Sequence, residues 1–93
     1  MQYMKEASKA AVMRRLKRLE GQVRGLQRMV TDDRYCIDII TQASAVKHGL
    51  SKVEGLLLEN HLQHCVVRQM HSGKVQKATQ EILKIYHLTK NTL

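Results

Sequence analysis

The chain has 93 residues, carries a formal charge of +8 at neutral pH, and contains no proline, phenylalanine or tryptophan. This length fits one small domain spanning residues 1–93. No apolar run approaches the roughly 20 residues of a membrane span, and no apolar signal region follows the N-terminal lysines. We therefore expect a cytoplasmic protein that does not bind membranes. The basic excess indicates an acidic partner such as nucleic acid.

The first predicted helix, over residues 5–31, has a narrow apolar stripe and a basic face. Its apolar residues recur at intervals of three and four, which is typical of a helix in a bundle; they are Val12, Leu16, Leu19, Val23, Leu26 and Val30. Cations dominate the rest of the surface, and four of them are the foremost candidates to contact an acidic partner: Arg14, Arg15, Lys17 and Arg18.

The second predicted helix is very long, running over residues 35–71, with Gly55 and Asn60 as the two places where it could break. Ser72 and Gly73 end it, and a third helix follows over residues 74–88. Three helices of such unequal length cannot close a compact core alone. We therefore expect an all-α fold with three helices per chain that forms an antiparallel helix-bundle homodimer.

Cys36, His61 and Cys65 form the candidate metal site. His61 and Cys65 are four residues apart and share one helix face. Cys36 precedes them by 25 and 29 residues, which is about 38 and 44 Å along a continuous helix. Cys36 therefore cannot meet the other two in its own chain. In an antiparallel pair of second helices with the two-fold axis near Gly49 and Leu50, it meets them across the interface.

The chemistry of these donors indicates a soft metal ion. Two thiolates and one imidazole suit Cu(I), or Zn(II) if a fourth ligand joins. The alternative is that both cysteines are small buried apolar residues and His61 is a surface residue. The remaining histidines are not predicted ligands; they are His48, His64, His71 and His87. No phosphate-binding glycine loop, carboxylate pair or Ser/His/Asp arrangement is present, so we do not expect an enzyme.

Three segments together resemble the CsoR/RcnR family of bacterial metal-sensing repressors. They are RLKRLEGQVRGLQRMV (15–30), RYCIDIITQASAV (34–46) and HLQHCV (61–66). The resemblance covers nearly the whole chain. It implies a helical homodimer that pairs into a homotetramer, and it implies binding to double-stranded operator DNA in the metal-free state. It further implies that metal bound across the dimer interface releases the DNA. Lys47 and Lys52 on the second helix would extend the DNA-binding surface.

The ligand residues distinguish the branches of this family. The copper(I) branch uses Cys, His and Cys, which stand here as Cys36, His61 and Cys65. The nickel and cobalt branch has histidine where this chain has Cys65, and the persulfide-sensing branch lacks the histidine. Tyr35 and Glu81 occupy the positions that link the metal-bound histidine to the bundle in copper sensors.

The sequence therefore predicts a copper(I)-responsive repressor. Two alternatives remain open: a thiol- or persulfide-responsive repressor of the same fold, and a cytosolic copper-buffering protein with an incidental basic face.

Overall fold

A computed structural model describes residues 4–90, excluding the side chains of Thr89 and Lys90. Its elements are α1 (Glu6–Thr31), α2 (Cys36–Asn60), a π-helical turn (His61–Val66), α3 (Val67–His71) and α4 (Val75–Lys90). No strand occurs among these residues, so the predicted all-α fold is confirmed. The backbone stays helical at both ends of the π turn. Hence α2, the π turn and α3 form one continuous rod, and three helical rods are present as predicted.

The rod does not break at Gly55, which lies inside α2. Its one irregularity is the π turn, which begins directly after Asn60. The first hairpin turn contains Asp33 in the left-handed region, with φ of 53°. Its amide and that of Arg34 donate to Val30 O and Met29 O, and these hydrogen bonds stabilise the end of α1.

The core lies between α1 and α2. Val12 and Leu19 of α1 pack with Val46 and Val53 of α2, and half-buried leucines flank them. Gly49 lets the two helices approach closely, because a Cβ atom there would lie 2.5 Å from Leu19 Cδ2. The predicted stripe of α1 is only partly used within the chain, since its C-terminal member Val30 remains 61% exposed.

The second hairpin brings α4 back toward the rod. Gly73 adopts a φ of 81°, which favours glycine, and the amide of Lys74 donates to Gln69 O at 2.7 Å. Ala78 of α4 and Val66 of the π turn are both buried. Within residues 4–90, no helix has the length and hydropathy required to cross a membrane.

The chain alone is long and thin, with principal extents of 56 × 29 × 15 Å. Its radius of gyration is 17.2 Å, whereas a compact chain of this length has about 12 Å. Its accessible surface is 7511 Å², whereas a monomer of this mass exposes about 5,500 Å². The excess surface is of the size that a stable subunit interface buries.

Candidate metal centre

His61 is the first residue of the π turn and Cys65 is its fifth. A π-helical turn closes i→i+5 hydrogen bonds, so residues four apart stay on one side of the helix, and such turns often mark functional sites. His61 is buried, with 9% of its side chain exposed. Cys65 is half-buried, and its thiol is free. The local backbone therefore presents an imidazole and a thiol together, as their spacing predicts.

Glu81 of α4 faces the imidazole. Its Oε1 lies 3.4 Å from His61 Nε2, but the two atoms lack hydrogen-bond geometry, and Nε2 is buried without a hydrogen-bond partner. The same Oε1 accepts a hydrogen bond of 3.0 Å from Gln69 Nε2. That bond is the main reason that the pKa of Glu81 is lowered from its ordinary value. The charges of His61 and Lys77 lower it further, while burial opposes them.

Cys36 stands at the first residue of α2, far from the pair on the π turn. Its thiol is free and exposed. Within residues 4–90, no three side chains of His, Cys, Asp or Glu converge on a point where one metal ion could bind. Tyr35, next to Cys36, is 70% exposed. The chain alone thus brings Glu81 next to His61, places Cys65 on the same π turn as His61, and leaves Cys36 and Tyr35 apart from them.

The alternative interpretation of these residues does not describe the chain well. It requires buried cysteines and an exposed His61, whereas Cys36 is exposed and His61 is buried. A buried imidazole normally has a hydrogen-bond partner for each polar nitrogen. His61 Nε2 departs from that norm, since its nearest charged neighbour, Glu81 Oε1, lies 3.4 Å away without hydrogen-bond geometry.

A cationic cleft of about 190 Å³ lies between α1 and α2. It is lined by three of the six predicted DNA-contact residues, namely Arg15, Arg18 and Lys52, together with His48. The other three are exposed outside the cleft; they are Arg14, Lys17 and Lys47. A cleft lined by charges of one sign concentrates the potential that attracts phosphate groups.

Two residues near these sites are not predicted from the sequence. His48 has no partner at ligand spacing, but it lies one helical turn before Lys52 and lines the same cleft. Gln69 belongs to no motif. It lies two helical turns after His61, on a similar side of the helix, but this spacing alone does not show that it contacts Glu81.

These features are typical of small helical metal-responsive regulators: a histidine and a cysteine four residues apart on the long rod, and a cationic cleft between that rod and α1. The family model described as "Metal-sensitive transcriptional repressor" matches residues 8–87. The chain belongs to this family. It is therefore a transcriptional repressor rather than an enzyme, in agreement with the sequence analysis.

Relatives within the family include proteins named for copper. The copper-sensing transcriptional repressor CsoR of Bacillus subtilis (strain 168) is 47% identical over 78 residues, covering 84% of this chain and 77% of that protein. The crystal structure of the copper-sensing repressor CsoR with Cu(I) from Geobacillus thermodenitrificans NG80-2 is 40% identical. It matches with a TM-score of 0.90 over 98% of this chain and 95% of that one.

A solved structure named for another metal is more distant. The nickel-responsive transcriptional regulator InrS is 28% identical and matches with a TM-score of 0.71, covering 90% of this chain and 92% of that one. The fold is therefore common to proteins named for different metals. The fold alone therefore does not identify the metal.

Proposed function

We propose that this protein is a copper(I)-responsive transcriptional repressor that binds operator DNA in the metal-free state and releases it when Cu(I) is bound. The observation that carries the proposal is the division of the donors. His61 and Cys65 share the π turn, whereas Cys36 lies about 38 Å away along the rod. Such a set is completed only by a second copy. The copper-sensing names of the relatives support the choice of metal.

The working unit in this proposal is an antiparallel homodimer, two of which pair into a tetramer, with each chain acting as one domain. Outside the core contact with α1, four apolar side chains of α2 are more than 40% exposed: Ile37, Ile40, Leu50 and Leu57. A groove of about 610 Å³ between α2 and α4 also opens beside His61 and Glu81. Covering both surfaces with a second chain would bury the excess area.

The donors fit Cu(I). Thiolate and imidazole ligands are soft, and a set of two thiolates with one imidazole matches the preference of this ion. Cys36 of one chain would hold it with His61 and Cys65 of the other. These residues would thereby connect the start of one rod to the π turn of its partner and fix the position of the two chains when the ion is bound.

Glu81 links this site to α4. A histidine that ligates a metal through one ring nitrogen carries its proton on the other. That N–H commonly donates a hydrogen bond to a carboxylate. His61 Nε2 already lies 3.4 Å from Glu81 Oε1. Forming that hydrogen bond would draw α4 toward the rod. Tyr35 lies next to Cys36, so in the dimer it would approach the same carboxylate from the partner chain.

The metal-free chain binds DNA through the cationic cleft in this proposal. Arg15, Arg18 and Lys52 would contact the phosphate backbone, with Arg14, Lys17 and Lys47 extending the surface. Phosphate contacts make such binding strongly dependent on salt. A change in the angle between two bundles would move the clefts out of register with the duplex. By linkage, DNA must then weaken Cu(I) binding by the same factor by which Cu(I) weakens DNA binding.

A complementation experiment tests the shared site. Neither Cys36→Ala nor Cys65→Ala alone should bind Cu(I) tightly. Mixed dimers of the two variants hold one complete site if the donors come from both chains, and none if they come from one. We expect half of the wild-type stoichiometry in purified mixed dimers, measured by anaerobic titration against a Cu(I) chelator. Mixed dimers that bind no more copper than the parents would contradict the proposal.

Operator binding tests the response. Fluorescence anisotropy should show tight binding of metal-free protein to its operator, and loss of that binding after addition of Cu(I) without oxygen. A protein that binds copper but no DNA at moderate salt is a buffer. The exposed Cys36 thiol and the free Cys65 thiol make a persulfide donor the necessary parallel sample. Release by the donor and not by Cu(I) would identify a thiol sensor.

A further inference from the structure

We propose that Gln69 is a positioning residue that holds Glu81 in the metal-free protein and so sets how strongly occupation of the His61 site changes DNA binding. This inference rests on the proposed function, and it assigns to the same site a residue that no motif in the sequence indicates. The side-chain amide of Gln69 would release the carboxylate of Glu81 when ligated His61 donates a hydrogen bond to that carboxylate.

Two side-chain nitrogens, one from Gln69 and one from His61, lie close to the same carboxylate oxygen of Glu81. Glu81 Oε1 accepts from Gln69 Nε2 at 3.0 Å and lies 3.4 Å from His61 Nε2. Only the contact with Gln69 has the geometry of a hydrogen bond. The contact with His61 does not, so His61 Nε2 is left without a hydrogen-bond partner. Gln69 therefore holds the carboxylate in the metal-free chain, and His61 lies within reach of it but is not bound.

The arrangement also leaves two polar atoms unsatisfied. His61 Nε2 and Gln69 Oε1 are both buried without a hydrogen-bond partner among the described residues. Buried polar atoms without partners destabilise a structure, and the cost is recovered if the network rearranges. A network with one strong bond and two unsatisfied neighbours is therefore suited to change its pairing at little net cost.

Ligation of His61 would change that balance. A free neutral imidazole can carry its proton on either nitrogen, whereas a ligated one keeps it on the nitrogen opposite the metal. His61 Nε2 would then become a fixed donor that points at Glu81 Oε1. The carboxylate would shift from Gln69 toward His61. Because Gln69 lies on α3 and Glu81 on α4, the exchange changes the contact between these two helices.

The test replaces the amide while keeping the side chain's length. Gln69→Met removes the donor, and Gln63→Met changes an exposed glutamine on the π turn as a matched control. In metal-free Gln69→Met, Glu81 Oε1 no longer accepts a hydrogen bond from residue 69 and can accept one from His61. We expect a new, exchange-protected Nε2–H signal of His61 in ¹⁵N-edited NMR spectra, absent from wild type and from the control.

The DNA response should change in parallel. The ratio of operator dissociation constants with and without Cu(I) should fall about tenfold in Gln69→Met, the equivalent of one hydrogen bond to a charged group. The fall should come mainly from weaker binding by the metal-free variant. Gln69→Asn, whose amide is one methylene shorter, should act in the same direction, and it replaces Gln69→Met if that variant does not fold.

The outcomes separate this inference from the proposed function. If wild type responds to Cu(I) but the response ratio of Gln69→Met equals that of wild type, Gln69 has no positioning role, whatever the spectrum shows. If wild type does not respond to Cu(I), the proposed function fails. The metal-free spectrum of His61 then decides alone whether Gln69 and His61 compete for Glu81, and an unchanged spectrum overturns the inference.

Discussion

The two faces of α2 differ in how they are completed. The face toward α1 is closed within the chain, where Val46 and Val53 are buried and Gly49 admits Leu19. The opposite face carries Cys36 and leads to His61 and Cys65, and its apolar side chains are exposed. We call the face toward α1 the closed face and the opposite face the open face. The closed face is covered within the chain, whereas the open face is left exposed.

In the proposed function this division would let a small chain act as a sensor. The face toward α1 is covered within the chain, so the cationic cleft would persist with and without bound metal. The opposite face would contribute part of two metal sites, so occupation of a site would depend on assembly. A ligand bound there would change how two subunits are arranged and not the core of either one.

The largest expected effect distinguishes two leucines of α1 and α2. Leu19 is 7% exposed in the core, and Leu50 is 46% exposed on the open face. Leu19→Ala should lower the free energy of unfolding by about 2–5 kcal/mol, as deletion of a buried leucine side chain does. Leu50→Ala should instead weaken self-association, because its side chain lies near the proposed two-fold axis.

Two measurements separate these effects. Urea unfolding gives the free energy of unfolding, and sedimentation velocity over a dilution series gives the dimer dissociation constant, both on reduced and metal-free protein. The distinction between the faces is lost if Leu50→Ala leaves association unchanged, or if Leu19→Ala raises the dissociation constant as much as Leu50→Ala does.

A smaller effect is expected from two glycines. In Gly49→Ala the new methyl group would overlap the buried Leu19 side chain, and such overpacking destabilises by about 1–3 kcal/mol. Gly25→Ala is the matched control, because no atom lies within 4 Å of its Cβ position. There the gain in helix propensity, up to about 1 kcal/mol, should remain. Thermal unfolding should therefore rank Gly25→Ala above wild type and Gly49→Ala below it.

The reverse order would contradict this view of the closed face. If Gly49→Ala were as stable as Gly25→Ala, Leu19 would have room to move away, and the close approach of α1 and α2 would not depend on a missing side chain.

The sequence predicts the features that depend on spacing alone. The all-α class follows from apolar periodicity, and the distance from Cys36 to His61 follows from helix rise. Glu81, which the family resemblance predicts to link the metal-bound histidine to the bundle, lies 3.4 Å from His61, and its role there stays a prediction. The metal ligands themselves, the dimer and the DNA contacts stay predictions, because no single chain brings their components together.

Other features depend on packing that spacing does not encode. The choice of Gln69 as the partner of Glu81 depends on the angle at which α4 returns and on the π turn that rotates α3 relative to α2. The grouping of Arg15, Arg18 and Lys52, with His48 among them, depends on how α1 is rotated against α2. Helical periodicity gives the face of each helix, but not the rotation of one helix against another.

The smallest expected effect concerns the outer edge of the closed face, where the cationic cleft lies. Arg18→Gln removes a charge from the cleft, and Lys9→Gln removes one from the opposite side of α1, about 180° around the helix. Each lost phosphate contact should reduce the slope of log affinity against log salt by about 0.9. We expect that reduction, per chain that touches the duplex, in metal-free Arg18→Gln and not in Lys9→Gln. Anisotropy titrations at four or more salt concentrations measure it. Equal slopes for the two variants would mean that the whole charged surface of α1 attracts DNA without a defined contact. The cleft would then be a by-product of helix packing, and the closed face would contribute stability alone.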